Sequence, residues 1–498
     1  MNTANLASVL GRACRPDARA LIDLAGTTPQ IYSYRDLNDR ASRVAGALLA
    51  EGYGHGDRIG MLNTNSVHFY SVYFGGLMAG CTVVPFNARA GADTVAHVCQ
   101  DAALKLLVTD AEPPAGVPKS LPVVQANSPA FVQWLSHAPA PMAQTDAEST
   151  AIVLYTSGST GRPKGVMLSH RSQIAIVDGL AQPAVRGFLE RGPCIVAAPL
   201  FHMNGLVFSE LAFAIGGEIV LMPRFDAQAF IRALADYRVT VLSGVPTMVA
   251  LLAQERELLA SVDLSSVELV MIGSAPLSET VLAQASEIFP RAAIINSYGT
   301  TEIGAGILGA HPAGLPRPTK SIGYPSSHAE IRLVDGGAPD EGVFEIRSPA
   351  NMSGYLNLPE VTAQKMRGGW INTGDIMRRD ENGFLYFVGR ADDMFVCSGE
   401  NIYPGEVERL LERHPAILEV CIVPLPDDIR GQIPVAFVVV RPGATLSDQD
   451  VKDYVIANAA PHLYPRRVCF LDKMPLSGVN KIDRHVLKSR ARDLATGT

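Results

Sequence analysis

The sequence predicts an α/β protein with a large N-terminal domain of mostly parallel sheets, a small β-rich subdomain, and a small α+β C-terminal domain. Three observations support this fold class. Apolar runs alternate with helical patterns up to about residue 328, short alternating strands follow, and a helix-and-strand pattern begins again near residue 404. With 498 residues, 47% hydrophobic and 18% charged, the chain can form at least one large core.

Composition argues against several classes of protein. The chain has 42 Lys and Arg against 49 Asp and Glu, a net charge of −7, and no basic cluster, so nucleic-acid binding is not expected. Seven cysteines form an odd set without a C-x-x-C pair, which disfavours a disulfide framework or a zinc site. They are Cys14, Cys81, Cys99, Cys194, Cys397, Cys421 and Cys469.

Neither a signal peptide nor a membrane span is predicted. The N-terminus lacks a basic region followed by an apolar core. The most apolar long stretch, 205–222, carries Glu210 and Glu218, which would be costly inside a bilayer. We therefore expect a buried helix followed by a strand there, and a cytoplasmic protein.

The first long helix is predicted over residues 34–51, where apolar residues recur on one face. Ser33 can cap its start and Gly52 can end it. The next predicted elements are a strand at 58–62, a helix at 66–79 and a strand at 82–86. Further apolar runs predict strands at 151–155, 194–199, 239–243, 269–273 and 294–298. The Pro- and Ala-rich stretch 111–141 is predicted to be a surface loop.

The pattern of apolar residues changes after residue 328. Short alternating strands are predicted at 328–334, 343–347 and 383–388, as expected for a small β-rich unit. The last part predicts helices at 404–413 and 448–458, with strands at 420–424 and 435–440. We expect the domain boundary near 389–393, giving an N-terminal domain of residues 1–391 and a C-terminal domain of residues 392–498.

The sharpest local signal is a Gly- and hydroxyl-rich segment that follows a predicted strand. Its glycines allow amide N–H groups to converge on an anion, and its hydroxyls and lysine add donors and charge. It is not a Walker loop, because the G-x-x-x-x-G-K-[ST] spacing is absent. The segment runs Thr156, Ser157, Gly158, Ser159, Thr160, Gly161, Arg162, Pro163, Lys164 and Gly165.

This segment resembles the phosphate loop of the acyl-adenylate-forming enzymes, in particular their acyl-CoA and aryl-CoA ligases. Four more segments match the family in order and spacing, so the resemblance spans nearly the whole chain. They are Tyr298-Gly299-Thr300-Thr301-Glu302, the 370–375 segment WINTGD, the 389–404 segment from GRADD to SGENIYP, and the 475–484 segment PLSGVNKIDR.

The resemblance implies an ATP, Mg²⁺ and coenzyme A enzyme that first forms an acyl-adenylate. This step brings two anions together, and like charges about 4 Å apart repel by about 4 kcal/mol at an effective dielectric of about 20. Lys481 is the implied catalytic lysine, with Thr301 and His202 also implied in catalysis; Asn480 stands where many members have Gly. Glu302, with Thr156 as a weaker candidate, is the implied Mg²⁺ ligand.

The remaining ATP contacts are also implied by the resemblance. Tyr298 is expected to stack on adenine, while Asp375 and Arg390 bind the ribose; a carboxylate suits two hydroxyls. The implied ATP-binding residues are Thr156, Ser157, Gly158, Ser159, Thr160, Gly161, Lys164, Ser274, Ala275, Tyr298, Gly299, Thr300, Asp375 and Arg390.

The second step needs a thiol to reach the adenylate, and family members rotate the C-terminal domain to admit it. The resemblance therefore implies a mobile C-terminal domain with Asp392 as hinge. Gly399 would border the pantetheine tunnel, and Arg89, Arg430 and Arg466 are candidates for the nucleotide end of CoA.

The segment PLFHMNG resembles the carboxylate-site segment of acyl- and aryl-CoA ligases. The residues of the implied acyl pocket are small or apolar apart from His202, Asn204 and Ser274, and no Lys or Arg occurs in 201–222 or 297–310 to neutralise a second carboxylate. The pocket comprises Phe201, His202, Met203, Asn204, Val207, Val245, Ser274, Gly299 and Gly304. We favour an aromatic acid of the benzoate or hydroxycinnamate kind.

Two alternatives stay open: a medium-chain fatty acid CoA ligase, and an adenylation enzyme that loads a carrier protein. The expected partners are a small carboxylic acid, ATP and CoA, without nucleic acid, and a homodimer is allowed. The 304–309 segment fits G-x-G-x-x-G, but YGTTE precedes it and a Pro-broken run follows, so we reject a dinucleotide site there.

Overall fold

The computed structural model describes residues 4–12, 15–87, 90–156, 162–398, 400–427, 429–460, 463–476 and 482–496. Up to residue 156 the elements are a 3-10 helix (Leu6–Gly11), β1 (Arg19–Asp23), β2 (Gln30–Ser33), α1 (Tyr34–Ala50), β3 (Arg58–Leu62), α2 (Val67–Met78), β4 (Thr82–Pro85), α3 (Ala92–Asp101), β5 (Leu106–Thr109), β6 (Val123–Gln125), α4 (Pro129–Leu135) and β7 (Thr150–Thr156).

The middle of the chain continues the alternation of helices and strands. Its elements are β8 (Lys164–Ser169), α5 (His170–Leu180), α6 (Pro183–Leu189), β9 (Cys194–Val196), α7 (Met203–Ala214), β10 (Ile219–Leu221), α8 (Ala227–Asp236), β11 (Val241–Gly244), α9 (Pro246–Leu252), α10 (Arg256–Ser261), β12 (Leu269–Ile272), α11 (Glu279–Ile288), β13 (Ala293–Asn296) and β14 (Leu308–Gly309).

The last third is richer in strands. Its elements are β15 (Tyr324–Pro325), β16 (Glu330–Ala338), β17 (Glu341–Arg347), β18 (Gly354–Tyr355), α12 (Pro359–Lys365), β19 (Met366–Arg367), β20 (Trp370–Arg379), β21 (Leu385–Arg390), a 3-10 helix (Ala391–Asp393), β22 (Phe395–Cys397), β23 (Glu400–Ile402), α13 (Pro404–Leu411), β24 (Ile417–Asp427), β25 (Gly431–Val440), α14 (Asp448–Asn458), β26 (Arg467–Phe470) and α15 (Arg484–Thr496).

Two mainly parallel sheets organise the N-terminal part, as predicted. Among the described residues, one has the strand order β13-β12-β11-β9-β10-β1-β2, and only β2 runs antiparallel. The other has the order β18-β8-β7-β4-β3-β5-β6, with β8 antiparallel to both neighbours. Carboxyl ends of parallel strands share one edge of a sheet, so the loops after β11, β12 and β13 meet there.

The helices α2 and α7 are buried on nearly every side. One apolar core contains residues of both helices together with Leu21 of the first sheet and Val83 of the second, so the two helices lie between the sheets. The predicted helix and strand of 205–222 are confirmed as α7 and β10. No helix among the described residues is long and apolar enough to cross a bilayer.

The strand-rich part forms two further sheets. The antiparallel order β16-β17-β20-β19, with β21 on β20, matches the predicted β-rich unit. The order β23-β22-β25-β24, with β26 parallel to β25, is covered by α13, α14 and α15. This last sheet and its helices have their own core, which runs from Phe395 to Ala491.

Among the residues that the structure describes, few polar contacts join this C-terminal core to the larger body. Arg441 Nη2 donates to Thr280 Oγ1 over 3.3 Å, and Arg413 lies 3.8 Å from the carboxylate of Glu279. Near residue 391, Arg409 Nη1 donates to the carbonyl of Val388 over 2.9 Å. Surface ion pairs of this kind contribute about 0–1 kcal/mol each, so they fix the C-terminal part only weakly.

The prediction of a surface loop over residues 111–141 is wrong. The segment adds the edge strand β6 and forms α4, in which Phe131 and Trp134 are buried. Ser128 caps α4 by accepting from Phe131 N, and Pro129 occupies the first turn, where proline is tolerated. The Pro and Ala content obscured this short amphipathic helix. The helix α15 and the strands β1, β2 and β26 were also not predicted.

Candidate functional site

The ends of β7 and β8 hold the predicted phosphate loop between them. Thr156 and Lys164 are cross-strand partners, so both lie at the base of the loop. A ring nitrogen of His97 lies 3.0 Å from the carbonyl oxygen of Pro163 and ties the loop to α3. The Lys164 ammonium lies 5.5 Å from the ring centroid of Tyr355, a cation–π distance. This places a positive charge beside the loop.

Tyr355 links that lysine to the predicted magnesium ligand. Its hydroxyl donates to Oε1 of Glu302 over 3.0 Å. Burial, with the neighbouring Glu302 carboxylate, raises the pKa of Tyr355, so the phenol stays protonated as the donor. Glu302 is held by a short turn in which Thr300 bridges Gly304, and its carbonyl accepts from Met352 N over 2.8 Å. Thr301 sits beside it in the same turn.

A second constellation joins the predicted adenine and ribose residues. The hydroxyl of Tyr298 donates to Oδ2 of Asp375 over 2.5 Å, and Arg390 Nη1 donates to Oδ1 over 2.8 Å. Asp375 and Arg390 are cross-strand partners on β20 and β21, so the ion pair is set by the register of this sheet. A carboxylate has about four lone-pair sites, so two remain for hydroxyls of a ligand.

Burial governs the electrostatics of this pair. Asp375 is 3% exposed, and burial raises its pKa although Arg390 opposes the shift. Burial and the Asp375 charge raise the pKa of Tyr298. Gly374 adopts a positive φ of 75°, and a Cβ there would lie 3.2 Å from Arg390 Nη2. The glycine therefore lets the arginine lie close along the strand.

Two residues of this region were not predicted. Tyr355 is the last residue of β18, the strand that pairs with β8, and it carried no signal of its own in the sequence. Lys365 ends α12 with its ammonium donating to the carbonyl of Thr373 over 2.9 Å. Burial lowers the pKa of Lys365, while the carboxylates of Glu302 and Asp375 oppose this shift. A lysine five residues before the WINTGD segment is the only hint the sequence offered.

The loops after β12 and β13 lie side by side. A Cβ on Gly273 would lie 2.9 Å from the carbonyl oxygen of Ser297, so 273–275 runs against the segment that leads into Tyr298. Ser274 has a positive φ of 66°, which is unusual for a residue other than glycine, and Ala275 follows it. Gly299 is as constrained, because its Cβ would lie 2.4 Å from the carbonyl oxygen of Gly304.

The predicted acyl residues collect around the first turn of α7. Ser243 Oγ donates to Oδ1 of Asn204 over 3.0 Å, and Asn204 Nδ2 donates to Ser274 Oγ over 3.4 Å. We call these three residues the polar array. Val207 and Val245 are buried beside it, and Met203 is half-buried. The array therefore joins the ends of β11 and β12 to α7.

Phe201, His202 and Gly304 are the remaining predicted acyl residues. The rings of Phe201 and His202 lie 4.4 Å apart just before α7. Gly304 has a φ of 70°, and a Cβ there would lie 2.4 Å from Cδ1 of Ile176, so no side chain fits. The rejected G-x-G-x-x-G segment leads into the two-residue strand β14, without the helix that a dinucleotide fold needs.

The donor set suits Mg²⁺ only if the nucleotide supplies most ligands. Among the described residues, no group of three His, Cys, Asp or Glu could hold a metal ion. Glu302 offers one hard carboxylate oxygen free of protein partners within the described part of the chain, since the Tyr355 hydroxyl is on the other. Mg²⁺ commonly binds through one or two carboxylates plus substrate phosphates, so Glu302 fits.

Two of the three predicted CoA arginines, Arg430 and Arg466, lie in the C-terminal part. Arg430 N donates to Oδ1 of Asp427 over 2.8 Å at the turn between β24 and β25, and the Arg466 guanidinium lies 3.6 Å from the ring centroid of Tyr464. The pKa of Asp427 is lowered, and the hydrogen bond from the Arg430 N–H is the largest cause of this shift. The charges of Arg430 and Arg466 lower the pKa further.

The predicted hinge residue touches the ribose pair. Arg390 Nη2 donates to Oδ2 of Asp392 over 3.1 Å, at the point where β21 passes into a 3-10 helix. The other predictions lie outside the described residues. They are Ser157, Gly158, Ser159, Thr160, Gly161, Arg89, Gly399 and Lys481.

The whole chain resembles known proteins. The AMP-binding enzyme family matches residues 11–356, and the AMP-binding enzyme C-terminal domain matches residues 406–481. The fatty acid–[acyl-carrier-protein] ligase ScoC of Streptomyces coeruleorubidus is 32% identical, with 93% of each chain covered. The feruloyl-CoA synthase of an Amycolatopsis species is 31% identical, with 92% of this chain and 94% of that protein covered.

Solved structures agree over the same length. ATP-bound MatB from Rhodopseudomonas palustris superposes with a TM-score of 0.89 at 28% identity, covering 99% of each chain. The apo form of MatB gives a TM-score of 0.79 at 27% identity, again covering 99% of each chain. The conserved architecture, the two family matches and the assembled site lead to one conclusion: this chain belongs to the AMP-binding enzyme family, whose members related to it include AMP-forming acyl-CoA ligases.

Proposed function

We propose that this protein is an ATP-dependent carboxylate–CoA ligase that forms an acyl-adenylate and then an acyl-CoA. The observation that carries the proposal is the pair of linked constellations, Tyr298–Asp375–Arg390 and Glu302–Tyr355, whose first members are four residues apart. One is suited to a nucleoside and the other to a polyphosphate with its metal. Relatives that are CoA ligases support the same activity.

In the first step, a carboxylate oxygen attacks the α-phosphorus of ATP, a P–O bond forms, and the bond to pyrophosphate breaks. Asp375 and Arg390 hold the ribose, Tyr298 flanks the base, and Lys164 and the 157–161 loop hold the departing phosphates. Lys481 bridges the carboxylate and the α-phosphate as a point charge. These positions lower the repulsion between two anions and align the attack.

Glu302 is the residue that would hold Mg²⁺, with Thr156 as a weaker candidate. The ion supplies charge neutralisation for the phosphates when it is bound. Tyr355 keeps the Glu302 carboxylate in one orientation through the 3.0 Å hydrogen bond. Thr301 and His202 are also proposed to take part in catalysis. Thr301 is next to Glu302 in the chain, and His202 lies beside Phe201 just before α7.

In the second step, the sulfur of CoA attacks the acyl carbon, a C–S bond forms, and AMP leaves with the C–O electron pair. We propose that residues 392–498 rotate about Asp392 between the two steps. The separate C-terminal core and the few exposed contacts to the larger body support such a rotation.

Gly399, Arg89, Arg430 and Arg466 are the proposed CoA contacts. An aromatic acid of the benzoate or hydroxycinnamate kind is the proposed substrate, since the acyl residues are neutral and one relative is a feruloyl-CoA synthase. The cytoplasmic location and the homodimer stay predictions from the sequence.

Replacement of the lysine tests the first step. Lys481→Ala should lower ATP-dependent pyrophosphate release by at least about 100-fold, because one charged contact to the reacting groups is lost. Thioester formation from supplied acyl-adenylate should fall much less. Lys473→Ala, an exposed lysine eight residues earlier, should leave both rates unchanged. Equal losses in the two half-reactions for Lys481→Ala would contradict the assigned role.

Replacement of the hinge tests the rotation. Asp392→Pro fixes φ near −65° and should spare pyrophosphate release while stalling thioester formation. Asp392→Ala removes the same contact to Arg390 without restricting φ, and it should retain thioester formation. Normal overall turnover by Asp392→Pro would remove the hinge assignment.

A second candidate function is an adenylation enzyme that loads a carrier protein, because ScoC is a fatty acid–[acyl-carrier-protein] ligase. A medium-chain fatty acid CoA ligase is a third. Thioester formation with free CoA supports ligation to CoA. Adenylate formation without any CoA product supports the carrier-protein alternative. A panel of aromatic and aliphatic acids, scored by pyrophosphate release, separates the substrate classes.

A further inference from the structure

We infer that the polar array Ser243–Asn204–Ser274 selects acids that carry an uncharged, hydrogen-bond-accepting oxygen away from the reacting carboxylate. This inference rests on the proposed function, because it concerns the acid that the adenylating site activates. The shared chemistry is a hydroxyl or ether oxygen, borne by either an aromatic or an aliphatic acid.

The hydrogen bonds of the array run in one direction, from Ser243 to Asn204 and from Asn204 to Ser274. Ser243 donates to Oδ1 of Asn204 over 3.0 Å, and this bond fixes which end of the amide faces Ser274. The amide then donates one hydrogen to Ser274 Oγ over 3.4 Å. A primary amide has two N–H donors and a hydroxyl has one O–H donor. Within the described part of the chain, the second amide hydrogen and the Ser274 hydroxyl hydrogen have no acceptor.

The unused groups are therefore mainly donors. Ser274 is exposed and Asn204 is half-buried, so both are accessible to a ligand. The positive φ of 66° holds Ser274 in an uncommon conformation beside the segment that leads to Tyr298. Strain of this kind persists where the surrounding structure over-determines it, and it is frequent at ligand sites. Donors aimed at a ligand favour an oxygen acceptor.

The surroundings limit the charge of that acceptor. The segments 201–222, 239–252, 269–278 and 297–310 contain no Lys or Arg. A second carboxylate would thus have no cationic partner from these segments, and burying an uncompensated charge is costly. Val207 and Val245, which lie close in sequence to Asn204 and Ser243, are buried apolar residues. An oxygen without charge meets both conditions, whereas a hydrocarbon would leave the amide and hydroxyl donors without acceptors when water is displaced.

The test compares matched acids that differ by one oxygen. The aromatic arm uses 4-hydroxycinnamate against cinnamate, and the aliphatic arm uses hydroxyoctanoates against octanoate. We expect kcat/KM for pyrophosphate release to favour the oxygenated acid by about tenfold or more in at least one arm, since one net hydrogen bond corresponds to about that factor. The arm that shows the preference identifies the carbon skeleton.

The variants ask whether the array causes the preference. Ser274→Ala and Asn204→Leu should each bring the ratio of the two kcat/KM values close to one, and Ser243→Ala should lower it less because it only orients Asn204. Ser261→Ala, the same exchange on exposed α10, should keep the wild-type ratio. The ratio is independent of the amount of folded enzyme, and thermal unfolding checks each variant.

The outcomes separate this inference from the proposed function. If no acid in either arm supports pyrophosphate release, the proposed function fails. If acids are activated but the wild-type ratio is near one in both arms, or Ser274→Ala and Asn204→Leu keep the wild-type ratio, the selection by the array is wrong. A higher kcat/KM for a dicarboxylic acid than for its monocarboxylic analogue would also overturn the inference.

Discussion

The nucleotide side of the candidate site and its acyl side use opposite kinds of polar chemistry. On the nucleotide side, a buried carboxylate is paired with an arginine and a phenol across adjacent strands. On the acyl side, two serines and an asparagine form a neutral chain between loops and the start of a helix. A nucleotide is the same in every turnover, so a rigid ionic site suits it. The acid is recognised by weaker, more exposed donors that can be exchanged without breaking the fold.

Buried carboxyl groups also differ between the two sides of the site. Asp375 has a cationic partner, whereas Glu210 on α7 accepts hydrogen bonds from the Tyr73 hydroxyl and from Gln173 Nε2, the latter over 2.7 Å. Burial raises the pKa of Glu210 from its ordinary value of 4.5 to about 7. The layer beneath the acyl side therefore contains a carboxyl that neutral donors alone support.

The largest expected effect separates the two sides through Asp375. Asp375→Ala removes the ribose acceptor and leaves Arg390 without its buried partner, so kcat/KM for ATP should fall by about 100-fold or more. The preference between matched acids should stay unchanged. Asp340→Ala, an exposed aspartate at the turn before β17, serves as the control and should affect neither quantity. A changed acid preference in Asp375→Ala would show that the sides are coupled.

The next effect concerns stability and pH. The native state binds a proton on Glu210 more tightly than the unfolded state does, so its contribution to stability is lost as pH rises from about 4.5 to 7 and stays constant above that. Glu210→Gln is neutral at every pH. Its free energy of unfolding, relative to that of the wild type, should therefore be about 2–3 kcal/mol larger at pH 8 than at pH 5.

Denaturant unfolding at the two pH values measures this difference. Glu287→Gln, at an exposed position on α11, should show no such dependence. An equal effect of Glu210→Gln at pH 5 and pH 8 would mean that the carboxyl is ionised in the folded protein throughout.

The smallest effect refines the nucleotide side. Tyr298→Phe keeps the ring and removes the 2.5 Å hydrogen bond to Asp375, so KM for ATP should rise about tenfold, with little change in acid preference. Tyr386→Phe, which removes a 2.8 Å bond to Asp380 on the same sheet, is the matched control and should leave KM for ATP unchanged. An unchanged KM for ATP in Tyr298→Phe would mean that only the ring of Tyr298, and not its hydroxyl, contributes to nucleotide binding.

Much of the fold followed from periodicity, and the exceptions have physical reasons. The helix predicted over 34–51 is α1, because its apolar face and its Ser33 cap agree with the tertiary packing. The helix α4 was missed, since only two large side chains mark its buried face within seven residues. The strand β8 was missed as well, because its Gly and Lys start reads as part of the preceding loop.

The candidate site shows the same division. Motif residues such as Glu302 and Asp375 could be predicted because each stands in a short segment with a recognisable order. Tyr355 and Lys365 could not, since their partners lie 53 and 8 residues away and depend on the pairing of β18 with β8 and of β19 with β20. The order of Ser243, Asn204 and Ser274 in one chain of hydrogen bonds was likewise invisible.

The sequence by itself determined the alternation of strands and helices, the order of the five motifs, and the absence of cations along the acyl segments. These are properties of neighbouring residues, and periodicity or residue type is enough to state them. Only the tertiary structure decided that Asp375 is shared by Tyr298 and Arg390, that Tyr355 orients Glu302, and that two serines flank Asn204. Sheet register and the meeting of loops at one edge bring together residues that are far apart in the chain, and neither can be read from local pattern.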